Sequence, residues 1–433
     1  MKRNWLIGTM ALALLGGACN NSGSGARGGD STGAIGGDSA GVRAAGGDSA
    51  GAAGMGAAGA AGARAGRRMV DETGAVARWA LLPFTKVDSV NPILTPGKGH
   101  LADPILHEQV SWEEKDVFNP AAVVRGDTLY LLYRAQDRIG HPAGTSRIGL
   151  ARSIDGLHFS RLESPVLYPD NDAEKKLEWE GGCEDPRVVE DEKGTYYMTY
   201  TAFDGRLARL LIATSVDMRH WTKHGAVFAG AYHGRYKDLW SKSGSIVSRY
   251  ENGHVIATRV AGKYWMYWGD QNIWAATSDD LINWTPVEMA AGEQPPIPLR
   301  GQAVNMPRLK IVVPTRAKKF DSDLVESGPP AMLTDSGILL IYNGRNIPAI
   351  GDSSLPEGTY AGGQVLMDRN DPTRVKHRLE WCFIRPDRPY EIAGQVGQVC
   401  FLEGLAHFHG EWFLYYGTAD SKIAVATSPS VSP

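Results

Sequence analysis

Trp179-Glu180-Gly181-Gly182-Cys183-Glu184-Asp185-Pro186-Arg187 runs directly into VVEDEKGTYYMTYTAF, an apolar and aromatic stretch. Two adjacent carboxylates, a φ-locking proline and an arginine at the mouth of a predicted strand are costly to gather unless a polar ligand uses them. An acidic turn satisfied by its own arginine is the plainer reading of this stretch alone. The same local pattern recurs four more times down the chain, and that recurrence favours the ligand.

The recurrence is most visible in the segments that follow. IGLARSIDGLHFS (148–160), LIATSVDMRHWT (211–222) and IWAATSDDLINWT (273–285) share one pattern, and IAVATSPS (423–430) is a truncated copy. Ser153, Ser215 and Ser278 are 62 and 63 residues apart, and Ser428 follows 150 later, which leaves room for one degenerate copy around 360–383. Ahead of each copy stands a polar opener and then an aromatic strand. The openers are FNPAAVV, CEDPRVV, SKSGSIV, ESGPPAML and LEGLAHF; the aromatic strands are LYLLYRA, YYMTYTA, YWMYWGD, LLIYNG and WFLYYG.

Short alternating strands broken by DG, NG, HG and KG turns, without a helical apolar stripe, predict an all-β chain of four-stranded blades around an axis. Five openers predict a five-bladed β-propeller over residues 70–433 with a central active-site pocket. In such a ring the first strand of every blade reaches the centre, so openers 57 to 84 residues apart become neighbours. The residues expected there are Asn119, Glu184, Asp185, Lys242, Glu326 and Glu403, backed by Arg134, Tyr200, Trp268, Asn343 and Tyr416 from the ends of the aromatic strands. Four carboxylates in one channel repel one another and lose hydration, an arrangement that marks chemistry or a bound cation.

The 433 residues carry a net charge of -3, which argues against a nucleic-acid partner. Residues 1–18 combine Lys2 and Arg3 with an apolar run and small residues before Cys19, the pattern of a secretory signal. Cys19 resembles a lipobox cysteine, although Gly16 stands where a branched apolar residue is usual, so a lipid-anchored periplasmic or cell-surface protein and a plainly secreted one are both expected. Residues 19–69 are almost wholly Gly, Ala, Ser and Asp and cannot bury enough apolar surface to order themselves. About 50 such residues span roughly 40 Å as a flexible tether. Cys183, Cys382 and Cys400 remain without zinc-binding spacing; Cys382 and Cys400 could bridge and leave Cys183 free, and at least one of the three reads better as a buried small apolar side chain.

Abundant aromatics and carboxylates, without a serine elbow, P-loop or HExxH helix, favour a sugar site worked by acid and base. A calcium site is the weaker reading, since no close-spaced oxygen-ligand loop is present. No cofactor or metal is expected.

Several motifs taken together resemble glycoside hydrolase family 130, the β-mannoside phosphorylases and β-1,2-mannosidases. They are FNPA at 118–121, YRA at 133–135, SRIGLARSIDG from Ser146, GGCEDPRV from Gly181, YTAFDG from Tyr200, ESGPPA from Glu326 and YYGTAD from Tyr415. The resemblance implies an inverting reaction on a mannose-containing glycan, with Asp185 as general acid acting through a mannose hydroxyl. Glu184 and Arg187 would orient Asp185 or bind sugar, and Asn119, Arg134 and Arg147 would line the subsite for the non-reducing mannose.

Water and phosphate are the two candidate nucleophiles. A phosphorylase needs clustered cations for a dianion, whereas Asp270 stands in Tyr267-Trp268-Gly269-Asp270 where the phosphorylases resemble a His-Arg-containing run, and Glu326 and Glu403 add negative charge. Hydrolysis follows, with Glu326 or Glu403 activating water across a carboxyl separation of about 6.5–9.5 Å. Lys242 either binds phosphate or pairs with a carboxylate. A phosphorylase and a non-catalytic sugar-binding lipoprotein are the alternatives. Residues 287–325, rich in proline, are too long for a plain connection and suggest a lid or an oligomer contact.

Overall fold

The computed structural model describes residues 69–141, 143–293 and 308–429. The expected signal, Cys19 and all of the Gly/Ala/Ser spacer but Met69 lie outside the described residues, as do residues 294–307 of the 287–325 segment.

The described chain is nearly all β, and its long strands fall into five antiparallel units. The first is Asp116–Arg125, Thr128–Gln136, Ser146–Ser153 and Ser160–Arg161. The second is Gly182–Glu190, Tyr196–Phe203, Ala208–Ser215 and Thr222–Ala226. The third is Ser245–Ile246, Tyr264–Trp268, Ile273–Ser278 and Trp284–Pro286. In the fourth, Leu324–Ser327 and Met332–Leu333 both pair with Ile338–Arg345, which leads to Tyr360–Met367 and Val375–Arg378. The degenerate copy around 360–383 is therefore the outer half of this unit. The fifth is Cys400–Phe408, Glu411–Thr418 and Lys422–Pro429, completed by Thr85–Lys86 from the other end of the described chain.

Within the units the alternation has two apolar sides. Along Thr128–Gln136, Leu129, Leu131, Tyr133 and Ala135 enter one core while Leu132 enters the next. Each of five apolar clusters lies between consecutive units, and the last lies between the fifth and the first, where Phe413, Tyr415 and Val425 meet Leu129, Leu131 and Val117. The hydrogen-bonded sheets themselves have four, five and fifteen strands, with a further two-stranded ribbon. Single parallel contacts stitch units together, as at Ser146 and Gly182. Gly182 has φ +106°, and a Cβ there would collide with the Ser146 backbone, so glycine is required at this close approach.

The serines that revealed the repeat close three identical turns. Ser153, Ser215 and Ser278 each accept backbone N–H groups from the residues two and three positions on, and Asp155, Asp217 and Asp280 do the same for their own followers.

A second repeat was not visible in the sequence. In four units a tyrosine of the second strand donates its hydroxyl to a buried carboxylate that is paired with a cation of the outermost strand. These sets are Tyr133–Glu113–Arg161, Tyr200–Glu178–Lys223, Tyr342–Asp321–Arg378 and Tyr416–Glu391–Lys86, with hydroxyl-to-carboxylate distances of 2.9, 2.8, 2.7 and 2.9 Å. Burying one charge alone would cost several kcal/mol, on the order of 3–5 if a partner were removed, so the three groups depend on one another. The third unit has Trp268 at this place, its Nε1 buried without a hydrogen bond and its ring centroid 5.1 Å from that of Trp274.

Cys382 and Cys400 do not form the bridge that their number left open. Cys183 and Cys400 are buried thiols instead, each beside the carboxylate of one of these sets, Glu178 and Glu391, and burial pushes both thiols well above their ordinary range.

Candidate active site

The opening strands meet through side chains. Asn119 of the first unit donates through Nδ2 to Asp185 Oδ1 of the second at 2.9 Å, and Arg134 donates to Asp185 Oδ1 at 3.1 Å and to Glu184 Oε1 at 2.7 Å. From the third unit, Lys242 Nζ lies 3.6 Å from Glu184 Oε2 and 3.7 Å from Asp185 Oδ2. Its neighbour Ser243 donates to Glu326 of the fourth unit. Arg187 reaches the fourth and fifth units together: it donates to the carbonyls of Ser327 and Gly328 at 2.8 and 2.7 Å, and Nη2 lies 3.5 Å from Glu403 Oε2.

One backbone device aims these groups. The ladders shift register between Phe118 and Pro120, Glu184 and Arg187, and Leu402 and Gly404, at the points that carry Asn119, Asp185 and Glu403. Asn119, Asp185 and Ser243 have φ of +48°, +47° and +58°. A bulge adds a residue and turns its side chain off the sheet face, and left-handed backbone at residues other than glycine persists only where surrounding contacts hold it. Asn and Asp tolerate it best.

Burial and charge then divide the carboxyls into two kinds. Burial disfavours ionised Asp185, yet Arg134, Lys242 and the Asn119 amide outweigh it and hold the carboxyl well below the usual range. Glu326 goes the other way: burial, reinforced by Asp270, pushes it up to about 7 against the pull of Lys242. Burial also raises Asp270 and pushes Asp420 up to about 7, with Asp185 adding to the latter. Glu403, which exposes no surface, is raised well above its ordinary value by burial, and neither of its oxygens has a hydrogen-bond partner. Asp185 is therefore held toward its ionised form and Glu403 toward its protonated form, with Glu326 and Asp420 pushed up to about 7.

Asn119, Arg134, Glu184, Asp185, Arg187, Lys242, Asp270, Glu326 and Glu403 are brought together; Trp268 packs instead into the core between the second and third units, and four further expected residues are not at the meeting place. Arg147 is fully buried and spent on Asp103 and Asp137 at 2.6 and 2.7 Å. Tyr200 and Tyr416 hold Glu178 and Glu391 in the outer sets, so their hydroxyls point away from the openers' meeting place. Asn343 closes a two-way bond with the Leu402 backbone, which joins the fourth unit to the fifth. The Arg147 Nη groups, the two tyrosine hydroxyls and the Asn343 amide are thus engaged within the structure, while Arg147 Nε has no hydrogen bond. The sequence reading missed Ser243, Asp420 and Trp240, which donates to Asp270 Oδ2 at 2.9 Å. Asp420 closes the YYGTAD motif, and an acid at the end of an aromatic strand, as in YWGD, was the available signal.

Paired acids of opposite protonation among cations and half-buried aromatics define a site of the glycoside-processing class. The chain matches the profile of glycoside hydrolase family 130, described as β-1,4-mannooligosaccharide phosphorylase, over residues 86–431, and it belongs to that family. It is 33% identical over 322 residues to a 1,2-β-oligomannan phosphorylase of Thermoanaerobacter sp. (strain X514), covering 73% of this chain and 90% of that one. Among solved structures it is similar to a glycosyl hydrolase from Bacteroides ovatus, with 42% identity and a TM-score of 0.75 over 82% of this chain and 97% of that one. A second similar structure, at 42% identity and a TM-score of 0.76 over 82% and 97% of the two chains, carries the description that the family of mannoside phosphorylases contains glycoside hydrolases targeting β-1,2 mannosidic linkages in Candida mannan.

Proposed function

We propose that this protein is an inverting β-mannosidase that releases mannose from β-1,2-linked mannosides, built as a five-bladed propeller with its site on the axis. Cyclic packing of the five cores supports the propeller, and family membership with the Candida mannan hydrolase description supports the substrate. Export, and a lipid on Cys19, are part of the proposal and rest on the N-terminal sequence alone.

The observation that favours water over phosphate is the company of Lys242. It lies between Glu184 and Asp185 at 3.6 and 3.7 Å, in the field of Asp270 and Glu326 as well. Arg134 is likewise engaged with Glu184 and Asp185, and Arg187 spends its N–H groups on the carbonyls of Asp185, Ser327 and Gly328. A dianion entering here would meet Lys242 and Arg134 already paired with carboxylates and Arg187 already held by the backbone. The curated relative named a phosphorylase keeps phosphorolysis as the second reading.

Glu326 is the base in this reading. It retains 5% of its surface and titrates near neutrality, whereas Glu403 is closed off. Asp185 delivers the proton to the leaving oxygen, directly or through a mannose hydroxyl. Sugar hydroxyls that draw the N–H groups of Asn119 and Arg134 onto themselves remove what keeps Asp185 ionised, so the proton moves there as substrate binds while Glu326 deprotonates water. Incubating the full chain with β-1,2-mannobiose, with and without inorganic phosphate, tests this. Free mannose alone is expected, and phosphate-dependent mannose 1-phosphate would replace the reading with phosphorolysis.

A further inference from the structure

We propose that Trp240 and Phe203 form the platform on which the departing sugar ring stacks, so that they select leaving groups that carry a pyranose. This rests on the glycosidase reading and adds the subsite that accepts the leaving half of the substrate.

The two rings meet edge to face with centroids 6.5 Å apart, and both are half-buried, with surface left to offer. Trp112, Trp221, Trp265 and Trp284 spend their indole N–H on backbone carbonyls. Trp240 instead spends its own on Asp270, the carboxylate that shares the field of Lys242 and Glu326. The bond fixes the edge of the indole, and the ring itself stays half-buried.

Phe203 is tied to the other side of the same centre. It pairs with Gly182 in the ladder, and a Cβ on Gly181 would run into its ring. Glycine at 181 is thus what lets the aromatic ring lie against the strand that carries Glu184 and Asp185 two and three residues beyond Gly182. Trp240 likewise stands two residues before Lys242. The platform therefore flanks the acid–base groups from the second and third units, while Asn119 and Arg134 approach Asp185 from the first. A glycoside has two halves: the first unit's polar donors suit the hydroxyls of the ring that is attacked, and an aromatic face suits the C–H face of the ring that leaves.

The test compares β-1,2-mannobiose with β-mannosyl fluoride, whose leaving group has no ring. Trp240→Ala and Phe203→Ala are each expected to lower the ratio of kcat/KM for mannobiose over fluoride by about tenfold or more. Trp240→Phe, which keeps an aromatic face and loses the N–H to Asp270, should keep that ratio within about threefold. An unchanged ratio in the alanine variants, or a loss in Trp240→Phe as large as in Trp240→Ala, overturns the proposal; the latter would assign Trp240 to Asp270 alone. Saturation-transfer NMR of mannobiose on wild type and Trp240→Ala reads binding without turnover. Saturation of the reducing-end ring is expected in wild type and lost in the variant, and its persistence in the variant rejects the platform. Binding with that signature but no turnover of either substrate would reject the glycosidase reading and leave the platform standing.

Discussion

Arg187 Nη2 lies 3.5 Å from Glu403 Oε2, and the glutamate has no exposed surface and no hydrogen bond on either oxygen. Arg187 has its other N–H groups on the carbonyls of Asp185, Ser327 and Gly328. Burial holds a carboxyl so enclosed toward its protonated form, of which an amide is a close substitute. Glu403→Gln should fold and keep activity within about tenfold of wild type, whereas Glu326→Gln should lose at least ~100-fold in kcat. Steady-state kinetics with circular dichroism of both variants decides it, and equal losses would return the base to Glu403.

The pH profile follows from Glu326 near 7 and Asp185 well below its ordinary value. The proposed mechanism needs one proton in the Asp185–Glu326 pair. That proton is present below about pH 7 and lost above it, so kcat/KM should fall on the alkaline side of neutrality. Lys242 lowers the Glu326 carboxyl, and Lys242→Met should move this limb to higher pH. Asp420 also titrates near 7, so Asp420→Asn is the control: a limb that vanishes in this variant would belong to Asp420.

Stability has its own pH dependence. Glu326 is raised from 4.5 to about 7 in the folded protein, so the folded state binds more protons than the unfolded state between those values. Its contribution is fully present below about pH 4.5 and is lost as pH rises through about 7. The ligand-free protein should melt at a lower temperature at pH 8 than at pH 5, and Glu326→Gln should flatten that slope in calorimetry.

Arg147 is expected to be an element of stability. Its removal leaves Asp103 and Asp137 buried without a cation, and Arg147→Ala should cost about 3–5 kcal/mol in denaturant unfolding. A raised KM for mannosides without loss of stability would instead restore the sugar-binding role implied by the motif.

The outer sets make a parallel case. Glu178→Ala strands Lys223 between Asp172 and the Tyr168 carbonyl and frees the Tyr200 hydroxyl. It should destabilise the protein by about 3–5 kcal/mol. Tyr200→Phe keeps the ion pair and should cost only about 1 kcal/mol. Thermal melts of the two variants check the order.

Much of this was legible in the chain because antiparallel units repeat their chemistry. Period-two alternation identified the strands, the aligned Ser153, Ser215 and Ser278 gave the period, and five polar openers pointed to one meeting place. Polar residues at the ends of aromatic strands were harder. Arg134 reaches Asp185, yet Tyr200 and Tyr416, in comparable positions, turn to Glu178 and Glu391.

What the amino-acid order determined by itself was the β alternation, the five-fold repetition and the identity of most acids at the centre, since these follow from local pattern. Only the tertiary structure decided which polar groups are spent on one another and which remain for a ligand. That choice depends on bulges such as the one between Glu184 and Arg187, which redirect single side chains, and on burial beside distant charges, which lowers Asp185 and raises Glu403 although both are carboxylic acids in the same centre.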